Sequence, residues 1–516
     1  MSELISVSDA GAPRMPPRRS GLSKSRIALF EQCAKRLWLS VHRPELAKES
    51  DSTRRVFRTG HEVGAAASAL YPDGIEINGD RGMAAAAEAT SAALAADVRV
   101  PLFEATFINE GVTVRVDLMI PDGDGWEVAE VKSTTSVKPY QRADLATQLW
   151  VLEGCGVQVT RASVRVIDRS FVLRAHGDYR GLFVDQPACD VVTTLMSGRA
   201  GVVSAAHFAL AGAEPDIGPG AHCTDPFQCS FVAYCRRDLP EPPQWPVSLL
   251  PGVAGKAIAR SLSEQGLNDL IAVEPDAISA PLLRRVHEAT VSGVPFHDAA
   301  AVRLETESWA YPRTFLDFES IAFAIPRWIG ISPYQQIPFQ FSAHVDRGEG
   351  RLDHVAFLSL DGDDPREACA KALAALPDTG AVIAWNAPFE RSCLVQLANT
   401  APNHAQALRS LASRLVDLLP VARRHYYHHD MRGSWSIKSV LPTLAPELNY
   451  ASLAGAKSGD EAQDHFLEAV DPSTTDARRA VIREGLLDYC ERDTFAMVVL
   501  LERLSAMAGK ANGDPT

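Results

Sequence analysis

The sequence predicts an α/β protein with two separate domains and a helical connection between them. Three observations carry that reading. The chain has 516 residues, more than one hydrophobic core ordinarily organises. Short apolar strand patterns fall in two blocks, residues 102–133 and 313–386, each continued by helical periodicity. Between them lie Pro-rich joints such as LPEPPQWP, where compact domains commonly part. The expected boundaries are a disordered lead over 1–20, a first domain over 21–236, a helical linker over 237–310, a second domain over 311–508 and a frayed tail over 509–516.

The first domain opens on Ser23–His42 (SKSRIALFEQCAKRLWLSVH), where Ile27, Phe30, Leu37 and Trp38 recur at helical spacing. Ala-rich residues 82–97 predict another helix. Over Leu102–Ser133 the segments FEATFI, VTVRVDLMI and WEVAEVKS are separated by turns at Asn109-Glu110-Gly111 and PDGDG, which predicts an antiparallel meander. Helical pattern returns at Tyr140–Glu153. Asp117 lies near the end of one strand, and Glu130 and Lys132 lie two apart on the next, hence on one face. A hairpin across PDGDG brings Asp117 beside them. Two carboxylates can hold a divalent cation, and a neighbouring lysine can orient or deprotonate the attacking water. An exposed charged strand also shows E-x-K. What separates this case is D-x12-E-V-K on consecutive strands, followed by a helix bearing Gln148.

Cys223, Cys229 and Cys235 form C-x5-C-x5-C in HCTDPFQCSFVAYC. In a chain with no apolar leader this cluster points to a metal rather than to disulfides. Cys33 in FEQCAKRLW is the natural fourth thiolate. Four cysteines suit zinc or an iron–sulfur cluster, and His222 can replace one. Cys155, Cys189, Cys369, Cys393 and Cys490 have no such company and are expected as buried small residues.

The connection holds two helical stretches, Ile258–Gln265 and Pro281–Val291. Leu262–Ile271 (LSEQGLNDLI) is faintly like a helix-hairpin-helix turn, but one Gly favours a plain linker. In the second domain TFLDFES, IPFQFSAHV, HVAFLSL and AVIAWN predict strands, with helices at 366–376, 389–399 and over most of the remainder. TFLDFES places Asp317 and Glu319 on one side of an apolar strand, which is costly unless a cation neutralises them. VIAWNAPFERSCL is a strand ended by Asn386, with Glu390 opening a helix. LLDYCERDTFAMVVLL sets Tyr489 and Asp493 on one helical face. The run YQQIPFQF reads as a half-buried strand. Lys438, with Arg423, Arg424 and His425, is a candidate phosphate contact or a solvated basic loop.

Lys+Arg of 51 against Asp+Glu of 64 gives a net charge of −13, which argues against a surface coated for nucleic acid but leaves room for a local basic groove. With 46% hydrophobic residues and no apolar run of membrane length, a cytoplasmic protein without membrane contact is expected.

The first constellation resembles the RecB-like PD-(D/E)XK nucleases, in particular the CRISPR-associated iron–sulfur branch. The resemblance rests on Asp117, Glu130-Val131-Lys132, Gln148 and SKSRIALFEQCAKRLWL, over roughly residues 20–236. It implies a restriction-endonuclease-like fold, Mg²⁺- or Mn²⁺-dependent phosphodiester hydrolysis, and a [4Fe–4S] cluster on Cys33, Cys223, Cys229 and Cys235. Two departures stand out. The family often has a metal-binding His four residues after a Gly, whereas Gly60 is followed there by Gly64, with His61 off that register. Its Gln-x-x-x-Tyr reads Gln148-x-x-x-Leu152. The second constellation resembles the DnaQ-like 3′–5′ exonucleases, of ribonuclease H-like fold, with motifs D-x-E, N-x-x-F-D and Y-x-x-x-D. Here Glu390 takes the place of the usual Asp in the second motif. The resemblance implies that Asp317, Glu319, Glu390 and Asp493 hold two cations and that Tyr489 orients the attacking water. Asp417 (SRLVDLLP) matches a further acidic position and is expected to be structural. With PRWIGISPYQQIPFQFSAH and GSWSIKSVLPTLAPELNY, the likeness extends to the domain-of-unknown-function family 2779, whose members join a RecB-like half to a DnaQ-like half. The implied function is a DNase for single-stranded or resected ends in repair or anti-phage defence. The rivals are a nucleic-acid-binding scaffold with a decayed site and an RNA-processing exonuclease.

Overall fold

The computed structural model describes residues 21–48, 51–96, 99–188, 190–448, 450, 453 and 455–506. The expected lead and tail and Cys189 lie outside these residues. The chain divides into two compact units. One comprises the residues up to Leu239 with Ala324–Pro333, the other Pro240–Phe323 with Tyr334 onward. Both are mixed α/β with open sheets.

The elements of the first unit are β1 (Leu22–Ser23), α1 (Lys24–Gln32), α2 (Ala34–His42), α3 (Asp51–Ser68), β2 (Ile75–Glu76), α4 (Met83–Leu94), β3 (Leu102–Asn109), β4 (Val112–Asp122), β5 (Gly125–Val131), α5 (Pro139–Gly154), β6 (Val159–Ile167), β7 (Phe183–Pro187), α6 (Asp190–Ala211) and α7 (Val232–Arg236). The sheet runs β2-β3-β4-β5-β6-β7, with β1 added parallel to β4. The expected meander is β3–β4–β5, and α5 is the crossover to a parallel β6. Val114, Val116, Val128, Leu145, Leu152 and Val166 are buried together. The single helix expected over Ser23–His42 is two helices. Cys33 between them has φ −168° and ψ 121°, extended backbone that a helix cannot hold.

The second unit contains α8 (Gly252–Glu264), α9 (Pro281–Ser292), β8 (Phe296–His297), α10 (Ala299–Thr306), β9 (Arg313–Ile321), β10 (Ile337–Asp346), β11 (Leu352–Leu358), α11 (Arg366–Leu373), β12 (Val382–Ala384), α12 (Pro388–Thr400), α13 (Ala405–Ser413), β13 (Leu415–Asp417), α14 (Leu418–His425), β14 (Tyr426–Tyr427), α15 (Ile437–Leu444), α16 (Gly459–Ala469) and α17 (Asp476–Ser505). Part of the stretch expected as a linker is built into this unit, since β8 pairs with β14 and Asp298 donates its N–H to the His425 carbonyl. Leu262–Ile271 is no helix-hairpin-helix: α8 ends at Glu264, Gly266 turns at φ +81°, and a 3-10 turn follows.

The main sheet runs β11-β10-β9-β12-β13. β10 is antiparallel to β9 and β11, while β12 is parallel to β9 and β13. β9 is therefore the point from which the chain builds outward in both directions, and ligands bind at the carboxyl ends of strands at such switch points. Leu316 and Phe318 of β9 pack with Cys369, Leu373, Leu394 and Leu397 on one face. Asp317 and Glu319 project to the other face, which packs against α16 and α17.

β10 corrects an expectation. It is buried on both faces, not half-buried, and its polar side chains meet α17 instead of water. Gln340 donates to the Leu486 carbonyl at 2.6 Å, and Ser342 and His344 each bond the Thr494 hydroxyl at 2.8 Å. Among the described residues no helix is long and apolar enough to cross a membrane.

Candidate functional site

Three acids gather where β9 and α17 meet, and a fourth, Glu390, lies within electrostatic reach of Asp317. Asp317, Glu319 and Asp493 each bring a carboxylate oxygen within 4.8 Å of the other two. Asp317 and Glu319 share a side of β9, while Asp493 sits mid-helix on α17, one turn beyond Tyr489. Glu390 enters from the first turn of α12. Its placement depends on Asn386, which ends the strand with φ +79°, a left-handed conformation that asparagine tolerates better than most residues. The Asn386 N–H is fixed by Asp417 at 3.0 Å, and the same carboxylate caps α14 through Leu419 N–H, so Asp417 is structural as expected.

Electrostatics mark this group as unbalanced. Burial, then the Asp493, Glu319 and Glu390 carboxylates, push Asp317 well above the usual carboxylate range. Burial and the adjacent Asp493 raise Glu319 to about 8. Glu390 is also raised to about 8, by burial and then Asp417, and its Oε2 is buried with no hydrogen-bond partner. Burial lifts Asp493 to about 6, restrained by hydrogen bonds from Tyr450 and Tyr489 and by the charge on Lys438.

Tyr489 is held from the far side by Lys438, whose ammonium donates to its hydroxyl at 2.9 Å and to the Lys457 carbonyl at 2.5 Å. Lys438 thus lies beside the acids. Arg424 and His425 do not join it, being bound to Glu305 at 3.0 and 3.3 Å. Sequence reasoning assigned no role to Tyr450, which donates to Asp493 Oδ1, or to Cys490, whose thiol lies 3.7 Å from Asp317 Oδ2. Tyr450 is 43 residues from its acceptor and left no local signal. Gly455 closely approaches Gly485 of α17, where a Cβ on either would strike the other backbone.

In the first unit Leu118 pairs with Ala129, which sets Asp117 opposite Glu130. The Val131 N–H donates to Asp117 Oδ2 at 2.7 Å. Glu130 is 1% exposed and accepts from Lys24 at 2.7 and 2.8 Å, from Lys132 at 2.7 Å, and from Gln148. Lys132 also reaches Asp144 at 3.1 Å. Burial presses the Glu130 pKa upward, but Lys132 and Lys24 outweigh it and hold the carboxyl down at about 2. Burial and the Glu130 charge raise Asp117 to about 7. Burial opposes the charge on Lys132, yet Glu130, Asp144 and Asp117 raise its pKa above the normal lysine value. It is a fixed cation that can orient water, not a base ready to take a proton. Sequence reasoning missed Lys24 and Asp144. Asp144 had a signal, standing one helical turn before Gln148. Lys24, 106 residues from Glu130, had none. His61 is exposed, with Nδ1 against the Phe57 carbonyl.

Cys33, Cys223 and Cys229 all lie within electrostatic reach of Arg36, and Cys235 within reach of the other three thiols. None is in a disulfide. The sequence expectation for the remaining cysteines holds at Cys369, Cys393 and Cys490, which are buried, and fails at Cys155. Cys155 is exposed as the C-cap of α5, just before the left-handed turn at Gly156.

No curated protein and no solved structure matches the chain. One family model does, and its span takes in Asp317, Glu319 and Glu390 but ends before Tyr489 and Asp493. Residues 314–436 match the model of the family described as a domain of unknown function, DUF2779.

Proposed function

We propose that the chain is a metal-dependent nuclease that hydrolyses phosphodiester bonds, with single-stranded or resected DNA as its first candidate substrate. The observation that supports this most is the convergence of Asp317, Glu319, Glu390 and Asp493 in a buried site with more negative charge than its surroundings balance. Such a group calls for protons or cations. Two divalent ions, Mg²⁺ or Mn²⁺, would supply Lewis acidity for the attacking and leaving oxygens. The residues fit them: all four ligands are hard carboxylates, and one Glu390 oxygen is buried without a partner. Tyr489, its hydroxyl accepting from Lys438 and directed at Asp493, is placed to orient water. The DnaQ-like motif order and the position at the sheet's switch point agree with this reading.

The first unit's Asp117, Glu130, Lys132 and Gln148 would form a second, RecB-like site. One observation favours a binding platform there instead: Glu130 is already neutralised by Lys24 and Lys132.

The test is release of mononucleotides from labelled single-stranded DNA and RNA with Mn²⁺ or with chelator. Asp317→Ala with Glu319→Ala should abolish stepwise release, a loss of about 1000-fold or more, and spare cleavage by the first unit. Lys132→Ala should do the reverse. If Lys132→Ala alters no activity on any substrate, the first unit is a platform. Wild-type release by the double variant would overturn the main reading.

We also read Cys33, Cys223, Cys229 and Cys235 as ligands of a [4Fe–4S] cluster. Three of the thiols lie within electrostatic reach of Arg36 and the fourth within reach of Lys35, cations suited to an anionic cluster. Anaerobically purified protein should be brown, with about four irons per chain, and Cys229→Ser should bleach it. Colourless protein with one stoichiometric zinc would overturn the assignment.

A further inference from the structure

Behind the turn that launches α12 is a cleft of about 380 Å³ lined by Trp385, Leu419, Arg423, Trp435 and Ser436, with Asn386 at its lip. We propose that this cleft holds one nucleobase of a single strand whose backbone runs on to the acid site. The proposal rests on the nuclease reading and gives it the base-binding part that the four acids lack.

The volume lies at the small end of ligand pockets, about 300–1,000 Å³, which suits one base and not a duplex. The indole N–H of Trp385 is committed to the Trp435 carbonyl at 3.0 Å, and that of Trp435 to the Tyr426 carbonyl at 3.0 Å. What half-buried Trp385 has left to offer a ligand is its ring face. Bases stack on such faces whatever their identity. Arg423 is exposed and stands 5.6 Å from the centre of the Trp435 ring. Among the described residues no carboxylate is paired with it, whereas neighbouring Arg424 is clamped to Glu305. An unpaired guanidinium beside aromatic rings suits a base and its phosphate together.

The cleft is also preformed. Gly433 turns at φ +77°, its N–H donates to the Tyr427 hydroxyl at 3.0 Å, and a Cβ there would collide with the Leu249 carbonyl. The loop carrying Trp435 and Ser436 is therefore fixed before any ligand arrives. Finally, Asn386 lines the cleft and stands four residues before Glu390 at the turn into α12, so a short stretch of chain joins the cleft to the acid site.

The test uses full-length protein, labelled oligo-dT and oligo-U, and Ca²⁺ in place of Mn²⁺, with a single abasic residue walked along each strand. Wild-type affinity should fall about 10- to 100-fold at one abasic position. Trp385→Ala should lose the same factor on the intact strand and become blind to that position. Trp385→Phe, which keeps an aromatic face, should retain most of the discrimination and guards against a simple folding defect. Arg423→Gln should weaken intact and abasic strands alike and make the salt dependence shallower. A polymer that shows the position-dependent loss is the strand the cleft accepts. A flat abasic scan in protein that binds the strand, or wild-type discrimination by Trp385→Ala, overturns the cleft and leaves the nuclease reading standing. A position-dependent scan with no Mn²⁺-dependent release from either polymer supports the cleft and overturns the nuclease reading.

Discussion

In the first unit Glu130 lies between Lys24 and Lys132, and Asp144 answers the second side of Lys132. In the second unit Asp317, Glu319 and Asp493 face one another with Glu390 within reach of Asp317, and Lys438 is the cation that the shifts of Glu319 and Asp493 record. Both sites are buried and both hold raised acids, Asp117 at about 7 in the first and Glu319 and Glu390 at about 8 in the second, yet Glu130 is held at about 2. Burial alone does not set the state of an acid. The identity of its nearest charge does. A buried carboxylate with its counter-ion in the chain is neutralised by the protein itself, whereas one without it calls for a proton or a cation.

That contrast is tested most severely by one substitution in each unit. Glu130→Gln leaves Lys24 and Lys132 facing a neutral amide in a buried place, and should cost about 3–5 kcal/mol of stability. Asp317→Asn in chelated protein removes one of several repelling charges, so the melting temperature should rise while Mn²⁺-dependent hydrolysis disappears. Denaturant and thermal melts of both variants check this. An Asp317→Asn protein less stable than wild type without metal would break the comparison.

Tyr489→Phe asks whether the second site is more than a cation trap. The change keeps the ring and deletes the hydroxyl that Lys438 and Asp493 share. Turnover should fall roughly 10- to 1000-fold with little change in strand affinity or in metal-induced stabilisation. Wild-type turnover in the Phe variant would make Tyr489 a packing residue.

The smallest effect is a pH dependence, and its sign follows from the raised values. Glu319, Glu390 and Asp493 have folded pKa values above the unfolded value of about 4, so the folded state holds the extra protons. Their stabilisation is complete below about pH 4 and is lost as pH rises through about 6 for Asp493 and about 8 for the two glutamates. Mn²⁺ replaces those protons, so the rise in melting temperature on adding it should be larger at pH 8 than at pH 6, by roughly a few degrees. Glu130→Gln should leave this difference intact, and Asp317→Asn should shrink it. Equal gains at both pH values would mean that the acids do not titrate as a repelling group.

Local periodicity was enough to read β3, β4, β5, β9 and α17. It was also enough to align Asp117, Glu130 and Lys132, because a hairpin and a two-residue spacing are short-range geometry. It was not enough for β13, whose three residues Leu415–Asp417 are a strand only because β12 lies beside them. Nor could it find the break at Cys33, where the chain leaves one helix and enters the next. The alternation along β10 was legible, but not that α17 takes the place of water on its polar face.

By itself, then, the sequence determined the order of the elements, the motifs that carry the two sets of acids and the three-cysteine run Cys223, Cys229 and Cys235, since each rests on spacing along one element or on a short motif. The tertiary structure decided the charge state of those acids. Lys24 reaches Glu130 across 106 residues, and Tyr450 reaches Asp493 across 43. It also decided that Trp385, Arg423 and Trp435 share one cleft with Asn386. A pKa and a pocket depend on which charges and faces lie within a few ångströms, and chain separation does not encode that distance.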